Sequence, residues 1–149
     1  MLHFSHQDIE FGIRLIIATF LGGLIGFERE VHGKEAGVRT YALVCLGSAL
    51  VMTISLQIYE SYKAVASVDP SRIAAQVVSG IGFLGAGAII RFPQGIRGLT
   101  TAAGIWAVSG VGLACGLGRY HLAGLATILI LIILIVFSKL DRLFGGKDH

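Results

Sequence analysis

The chain has 149 residues, enough for one domain, of which 54% are hydrophobic and only 14% charged. A soluble domain carries roughly 25% charged residues, so a water-facing surface is excluded, and the mean hydropathy of +0.79 says the same. A formal charge of +3 with no concentrated basic face speaks against a nucleic-acid partner; the lipid bilayer is read as the solvent.

The first ten residues, MLHFSHQDIE, hold no basic lead, and no small-x-small cleavage site follows the first apolar run. That run is therefore expected to stay as an anchor. Apolar runs then follow at about 10–27, 40–60, 73–91, 99–117 and 121–139, each near the twenty residues that a helix needs to cross roughly 30 Å of hydrocarbon. Nearly all the charge lies between them, in EREVHGKEAGVR, SYKAVASVDPSR, FPQGIRG, GRYH and DRLFGGKDH. No strand alternation of useful length competes, and lipid admits only helices or closed barrels. The expected fold is all-α: a polytopic membrane bundle of about five transmembrane helices, with residues 1–149 as a single transmembrane domain. Tyr41, Tyr59, Tyr62 and Tyr120 fall near proposed span ends, where amphipathic rings prefer to sit.

Five spans put Arg29, Lys34, Arg39, Arg91, Arg97, Lys139, Arg142 and Lys147 on one side, and Arg14, Lys63, Arg72 and Arg119 on the other. The richer side is assigned to the cytoplasm, with the N-terminus outside and the C-terminus inside. Span four, rich in Gly, Ala and Thr, is the open point: if it were re-entrant, the bias would vanish.

Span three contains SGIGFLGAG, in which Gly80, Gly82 and Gly85 spell G-x-G-x-x-G. A dinucleotide site needs a strand before this motif and an acid about twenty residues on. Here an apolar span precedes it, and no Asp or Glu lies between Asp69 and Asp141. No cofactor is expected. The glycines are read instead as close-packing positions, because small residues let helix backbones approach in lipid. Ala75, Ser79, Gly82 and Ala86 follow the spacing of one helix face. Gly22 with Gly26, and Gly112 with Gly116, make G-x-x-x-G pairs in spans one and four. The helix-packing set is Gly22, Gly26, Ser79, Gly80, Gly82, Gly85, Ala86, Gly87, Gly112 and Gly116. Span five has almost no small residues after Ala126 and is expected to face lipid or sit at the edge.

Two polar clusters are assigned to the cytoplasmic side. Glu28, Arg29, Lys34 and Arg39 surround the first turn. Arg39 opposes the dipole at a helix start, so Glu28 or Glu30 is expected to pair with it. Arg91, Arg97, Thr100 and Thr101 surround the next inner turn, with Pro93 stopping span three and a threonine as N-cap of span four. Both clusters are candidates for contact with a partner or lipid headgroup. Gln76 is expected to be buried and to bond between helices. The carboxylates and histidines form no ligand constellation, so no metal site is expected. No nucleophile–base pair is visible, so no catalytic residue is assigned.

The blocks GGLIGFEREVHGKEAGVRTYALVCLGSAL, RIAAQVVSGIGFLGAGAIIR and IRGLTTAAGIWAVSGVGLACGLG resemble the MgtC/SapB family of bacterial inner-membrane proteins over roughly residues 10 to 140. The family pattern falls on Gly26, Glu28, Arg29, Gly33, Lys34, Gly37, Arg39 and Thr40. It continues through Ser79, Gly80, Gly82, Phe83, Gly85, Gly87, Arg97, Gly98, Leu99, Thr100, Thr101 and Trp106. The resemblance implies a multi-pass inner-membrane protein linked to growth in low magnesium and, in pathogens, to survival in macrophages. It implies action through other membrane proteins, the F-type ATP synthase among them. Two departures stand out: the chain stops soon after span five, where better-known members continue into a soluble domain, and Gly95 and Ala107 stand near positions where some members have Asn and Cys. The expectation is a non-enzymatic regulator, with a homodimer among its assemblies. The alternative is a transporter or channel for Mg²⁺ or another small ion, against which stands the lack of a mid-membrane acid in spans two to four.

Overall fold

The computed structural model describes residues 6–143. Lys147, one of the expected cytoplasmic cations, and His3 and His149 lie outside the described residues. The order of elements is α1 (His6–Val31), α2 (Val38–Tyr62), α3 (Ser71–Gly87), β1 (Ile90–Phe92), β2 (Gly95–Arg97), α4 (Leu99–Gly116) and α5 (Tyr120–Ile132). A π-helical turn, Ile133–Phe137, carries α5 into α6 (Ser138–Leu143). The fold is all-α apart from one short hairpin. Four helical stretches are long and apolar enough to cross a membrane: His6–Val31, Val38–Tyr62, Leu99–Gly116 and Tyr120–Leu140. The chain is a membrane protein by this measure.

Helix ends follow local rules. Gly33 has φ of 62°; its N–H bonds to Glu30 O at 3.0 Å, and the Lys34 N–H bonds to Arg29 O at 3.0 Å. That pair of bonds is the Schellman arrangement, and it turns the chain sharply from α1 into α2. Before α3, Asp69 Oδ1 accepts the Ser71 N–H at 2.8 Å.

The core is a three-helix seam. A Cβ added to Gly22 would lie 2.6 Å from Cys45 Cβ and 2.7 Å from the Tyr41 carbonyl oxygen; at Gly26 it would lie 2.7 Å from Val38 Cα. On the other side of α2, a Cβ at Gly112 would overlap the Cys45 carbonyl oxygen, and at Gly116 it would lie 2.6 Å from Ala49 O. Thus α1 and α4 both press their glycines onto the backbone of α2, which is how helices gain dispersion contacts in lipid. Ala18, Tyr41, Cys45, Ala49, Val108 and Cys115 are fully enclosed there. Span four is one continuous helix at the centre of the fold: α4 touches α1, α2, α3 and α5 and is the most enclosed of the candidate spans. In α5, Leu122, Leu125, Ile128, Leu129 and Ile132 are exposed while Ala123 and Thr127 are turned inward, as is Leu134 in the π-helical turn.

The third element departs from expectation in three ways. First, α3 ends at Gly87, so Ile90 and Arg91 are not helical; β1 and β2 pair antiparallel, with Ile90 opposite Arg97 and Phe92 opposite Gly95. The cause is Phe92-Pro93-Gln94-Gly95, which has proline and glycine at the second and fourth places that a β-turn favours, flanked by β-prone isoleucines. At about 1.5 Å per residue, the 17 residues of α3 reach roughly 25 Å, the short end for a span. Second, the small-residue face is turned outward. Ala75, Ser79, Gly82 and Ala86 are exposed, and a Cβ on Gly80, Gly82 or Gly87 would meet nothing within 4 Å. Only Gly85 is buried, 3.6 Å (from an added Cβ) from Ala102 O. Ile81 and, just past the helix end, Ala88 pack against the core, while Val78, Phe83 and Leu84 are exposed along with the small residues. Third, Gln76 is exposed rather than buried between helices.

Candidate functional site

On α1, Ala18, Gly22, Ile25 and Arg29 are buried at i, i+4, i+7 and i+11, so Arg29 is the last member of the packed stripe. Its side chain is 4% exposed, and Glu28 beside it 7%. Arg29 Nη1 lies 3.5 Å from Glu28 Oε2, and Arg29 Nε is buried with no hydrogen-bond partner among the described residues. His32 Nδ1 lies 2.8 Å from the Glu28 backbone oxygen and 3.1 Å from Glu28 Oε1. Both neighbours are acceptors, so Nδ1 carries the proton. Buried charges of this kind cost much in desolvation.

The turn that follows is tied to two further helices. Glu30 Oε2 accepts the Val38 N–H at 2.9 Å, and Gly37 makes room for that carboxylate, since a Cβ there would lie 2.5 Å from Oε2. Thr101, 2% exposed, donates its hydroxyl to Glu35 Oε2 at 3.5 Å. Tyr41 donates its hydroxyl to the Thr101 carbonyl at 3.3 Å, and Gly104 leaves space for that hydroxyl oxygen. Glu30, Glu35, Tyr41 and Thr101 thus link α1, the first turn, α2 and the start of α4, beside the buried Glu28–Arg29 pair.

The sequence-chosen residues divide between inside and outside. Glu28, Arg29 and Thr101 are buried in this cluster; Lys34, Arg39, Arg91, Arg97 and Thr100 are exposed. Arg39 has no ion-pair partner among the described residues; the expected Glu30 carboxylate accepts the Val38 N–H instead. Neither threonine caps α4: its N-cap is Gly98 at φ 86°, with no side-chain cap bond. Tyr41, expected at the membrane surface, is fully buried.

At the opposite end, Arg14 donates to the Gly116 carbonyl at 2.6 Å and to Glu10 Oε1 at 2.5 Å. Its guanidinium lies 5.5 Å from the Phe11 ring centre. It caps the C-terminal carbonyls of α4, where a cation is favoured. Between α2 and α3 runs a groove of about 390 Å³, lined by Leu43, Val44, Val51, Val77, Ile81 and Leu84 among others. It has no charged lining residue and suits hydrocarbon, not an ion. Among the described residues no group of three His, Cys, Asp or Glu is placed to hold a metal.

The family model described as the MgtC family matches residues 15–143. The chain belongs to the MgtC family. It is 47% identical over 142 residues to the Escherichia coli (strain K12) protein named "Putative magnesium transporter YhiD", covering 94% of this chain and 66% of that one. It is 47% identical over 119 residues to "Protein MgtC" of Salmonella typhimurium (strain 14028s), covering 80% of this chain and 48% of that one. A Haemophilus influenzae protein is 45% identical over 140 residues, or 91% of this chain and 59% of that one. The chain therefore spans between about half and two thirds of the length of these relatives. No solved structure matches it.

In this MgtC-family chain the first sequence block forms the end of α1, the first turn and α2, and the third forms β2 and α4. Their meeting point is the Glu28–Thr101 cluster. Sequence reasoning left Glu35 and Tyr41 out of the site. Tyr41 carried a legible signal: with Cys45, Ser48 and Met52 it continues a stripe at i, i+4, i+7 and i+11, and all four are buried. Glu35 carried none, because its partner is 66 residues away.

Proposed function

We propose that this chain is a non-enzymatic regulatory protein of the bacterial inner membrane, tied to magnesium limitation and stress adaptation, that acts through other membrane proteins. The observation that carries the reading is the contrast between a sealed middle and a polar end. Mg²⁺ is bound at about 2.0–2.1 Å by six oxygens and gives up its waters reluctantly. Nothing of that size fits where Gly112 meets the Cys45 carbonyl or Gly116 meets Ala49. The buried hydroxyls of Ser48, Thr53 and Thr127 bond to carbonyls of their own helices and line no path. The charges gather instead at the turn between α1 and α2, where Lys34, Glu35 and Arg39 are exposed to a partner and Glu28, Arg29 and Thr101 transmit its contact inward.

A second reading, transport of Mg²⁺ or another small ion, is favoured by the printed name of the E. coli relative. Under either reading a second copy is a candidate partner, since α3 turns its small residues outward.

The test is complementation of growth in low magnesium, joined to capture from native membranes. The wild-type chain is expected to restore growth and to retain a membrane-protein partner, the F-type ATP synthase being the first to probe. Glu35→Gln, which removes the carboxylate from the exposed turn, is expected to insert normally and lose both. Full growth and full partner retention in that variant would contradict the assignment of the turn as the contact.

A further inference from the structure

The hairpin between α3 and α4 carries Arg91 and Arg97 of the second polar cluster, and the proposed function does not use it. All six of its paired residues are exposed. It carries Ile90, Phe92 and Ile96 at 46%, 42% and 46% exposure, with Ile89 and Leu99 at its root also exposed. An isolated two-stranded ribbon is at best marginally stable in water, and one with this much bare apolar surface less so.

The charge on the ribbon is of one sign. Arg91 and Arg97 form no ion pair among the described residues, and no Asp or Glu occurs between Asp69 and Asp141. Arg97 lies over the Phe92 ring at 5.4 Å, so its guanidinium is held beside the tip without being neutralised. The register puts Arg97 on one face with Ile90 and Phe92, and Arg91 on the other with Ile96. Each face thus joins apolar side chains to one cation. A hollow of about 140 Å³ at the tip is lined by Phe92, Gln94, Gly95, Ile96 and Arg97. The ribbon is also fixed at its base: Gly98 is at φ 86°, and a Cβ there would overlap the Ala88 carbonyl oxygen. It leaves the bundle at a set angle.

Bare apolar side chains beside unpaired guanidinium groups fit one environment, the boundary between acyl chains and anionic headgroups. We propose that the Ile90–Arg97 hairpin is an interfacial anchor that binds the phosphates of anionic lipid, with Arg91 and Arg97 on the headgroups and Ile90, Phe92 and Ile96 at the acyl boundary. This holds whether the chain regulates a partner or conducts an ion.

The test uses the full chain in nanodiscs of phosphatidylcholine with and without phosphatidylglycerol. Native mass spectrometry reads which lipid is retained, and a fluorophore on Gln94→Cys is quenched by lipids labelled at known depth. Wild type is expected to enrich phosphatidylglycerol, less so at high salt, with the label at headgroup depth. Each arginine near an anionic surface is worth about fivefold, so R91Q/R97Q is expected to cut the enrichment about tenfold or more, while R91K/R97K keeps most of it. Melting of both variants in pure phosphatidylcholine should match wild type, which separates lost lipid binding from lost folding. Equal retention of both lipids by wild type, full enrichment in R91Q/R97Q, or a Gln94 label in bulk water would overturn the proposal. So would loss of an acidic protein partner, rather than of lipid, as the consequence of R91Q/R97Q.

Discussion

Glycines in α1 and α4 and glycines in α3 look alike as letters and do opposite things in space. Gly22, Gly26, Gly112 and Gly116 each stand where a single added carbon would strike α2. Gly80, Gly82 and Gly87 stand where an added carbon would touch nothing. The lesson is that small-residue spacing reports a helix able to pack closely, while the neighbours decide whether it does. In α1 and α4 the glycines lie on the same stripe as the buried apolar residues. In α3 only Gly85 is buried and Ile81 packs against the core, while Val78, Phe83 and Leu84 are exposed together with Gly80, Gly82 and Gly87.

The sharpest way to break this comparison is Gly112→Leu. Its side chain has to displace the backbone of α2, so a loss of more than about 3 kcal/mol and disappearance of the folded, monodisperse species in detergent are expected. An intact melting transition would mean that α2 and α4 do not meet as closely as described. Next in size is Arg29→Met, expected to cost about 3 kcal/mol because it leaves Glu28 buried without its counter-charge. Adding Glu28→Gln should restore part of that loss in the same melting assay, and strict additivity would show that the two side chains do not interact.

Gly82→Leu sharpens the comparison from the other side. Its effect on the melting of a single copy should stay within about 0.5 kcal/mol. If melting is unchanged while crosslinking between copies falls, the outward face of α3 belongs to assembly; a fall in melting as large as that of Gly112→Leu would erase the distinction. The smallest effect concerns Asp69, whose carboxyl is held below the usual carboxylate range by its hydrogen bonds to Ser71 and, to a lesser degree, by the charge of Arg72. A depressed folded-state value means that the contribution is complete above the ordinary carboxylate pKa and is lost as pH falls through the folded-state value. The protection factor of the Ser71 amide, which corrects for the intrinsic pH dependence of exchange, should therefore fall at acid pH in wild type and show no such step in Asp69→Ala.

How much was legible varied with the range of the interaction. The helices and their membrane setting follow from hydropathy, which is a local property. The pairs Gly22/Gly26 and Gly112/Gly116 lie on the buried side because each helix marks its own inner stripe. The break after Gly87 was written in Phe92-Pro93-Gln94-Gly95, but an apolar run that continued past the helix end concealed it. The inward direction of Tyr41 was readable from the stripe it shares with Cys45 and Ser48, yet a tyrosine near a span end also suits the membrane surface. What could not be read was the bond between Glu35 and Thr101, or the engagement of Glu30 by the Val38 N–H. Those depend on how three helices meet in space.

Purified full-length chain reconstituted in liposomes with an enclosed Mg²⁺ indicator tests most directly whether the middle of the bundle is closed. A glycine-sealed core predicts magnesium entry no faster than in empty liposomes, across the range of external concentration and with an applied potential. Saturable entry that disappears with Gly112→Ala or Arg29→Met would contradict it and make the chain a conductor.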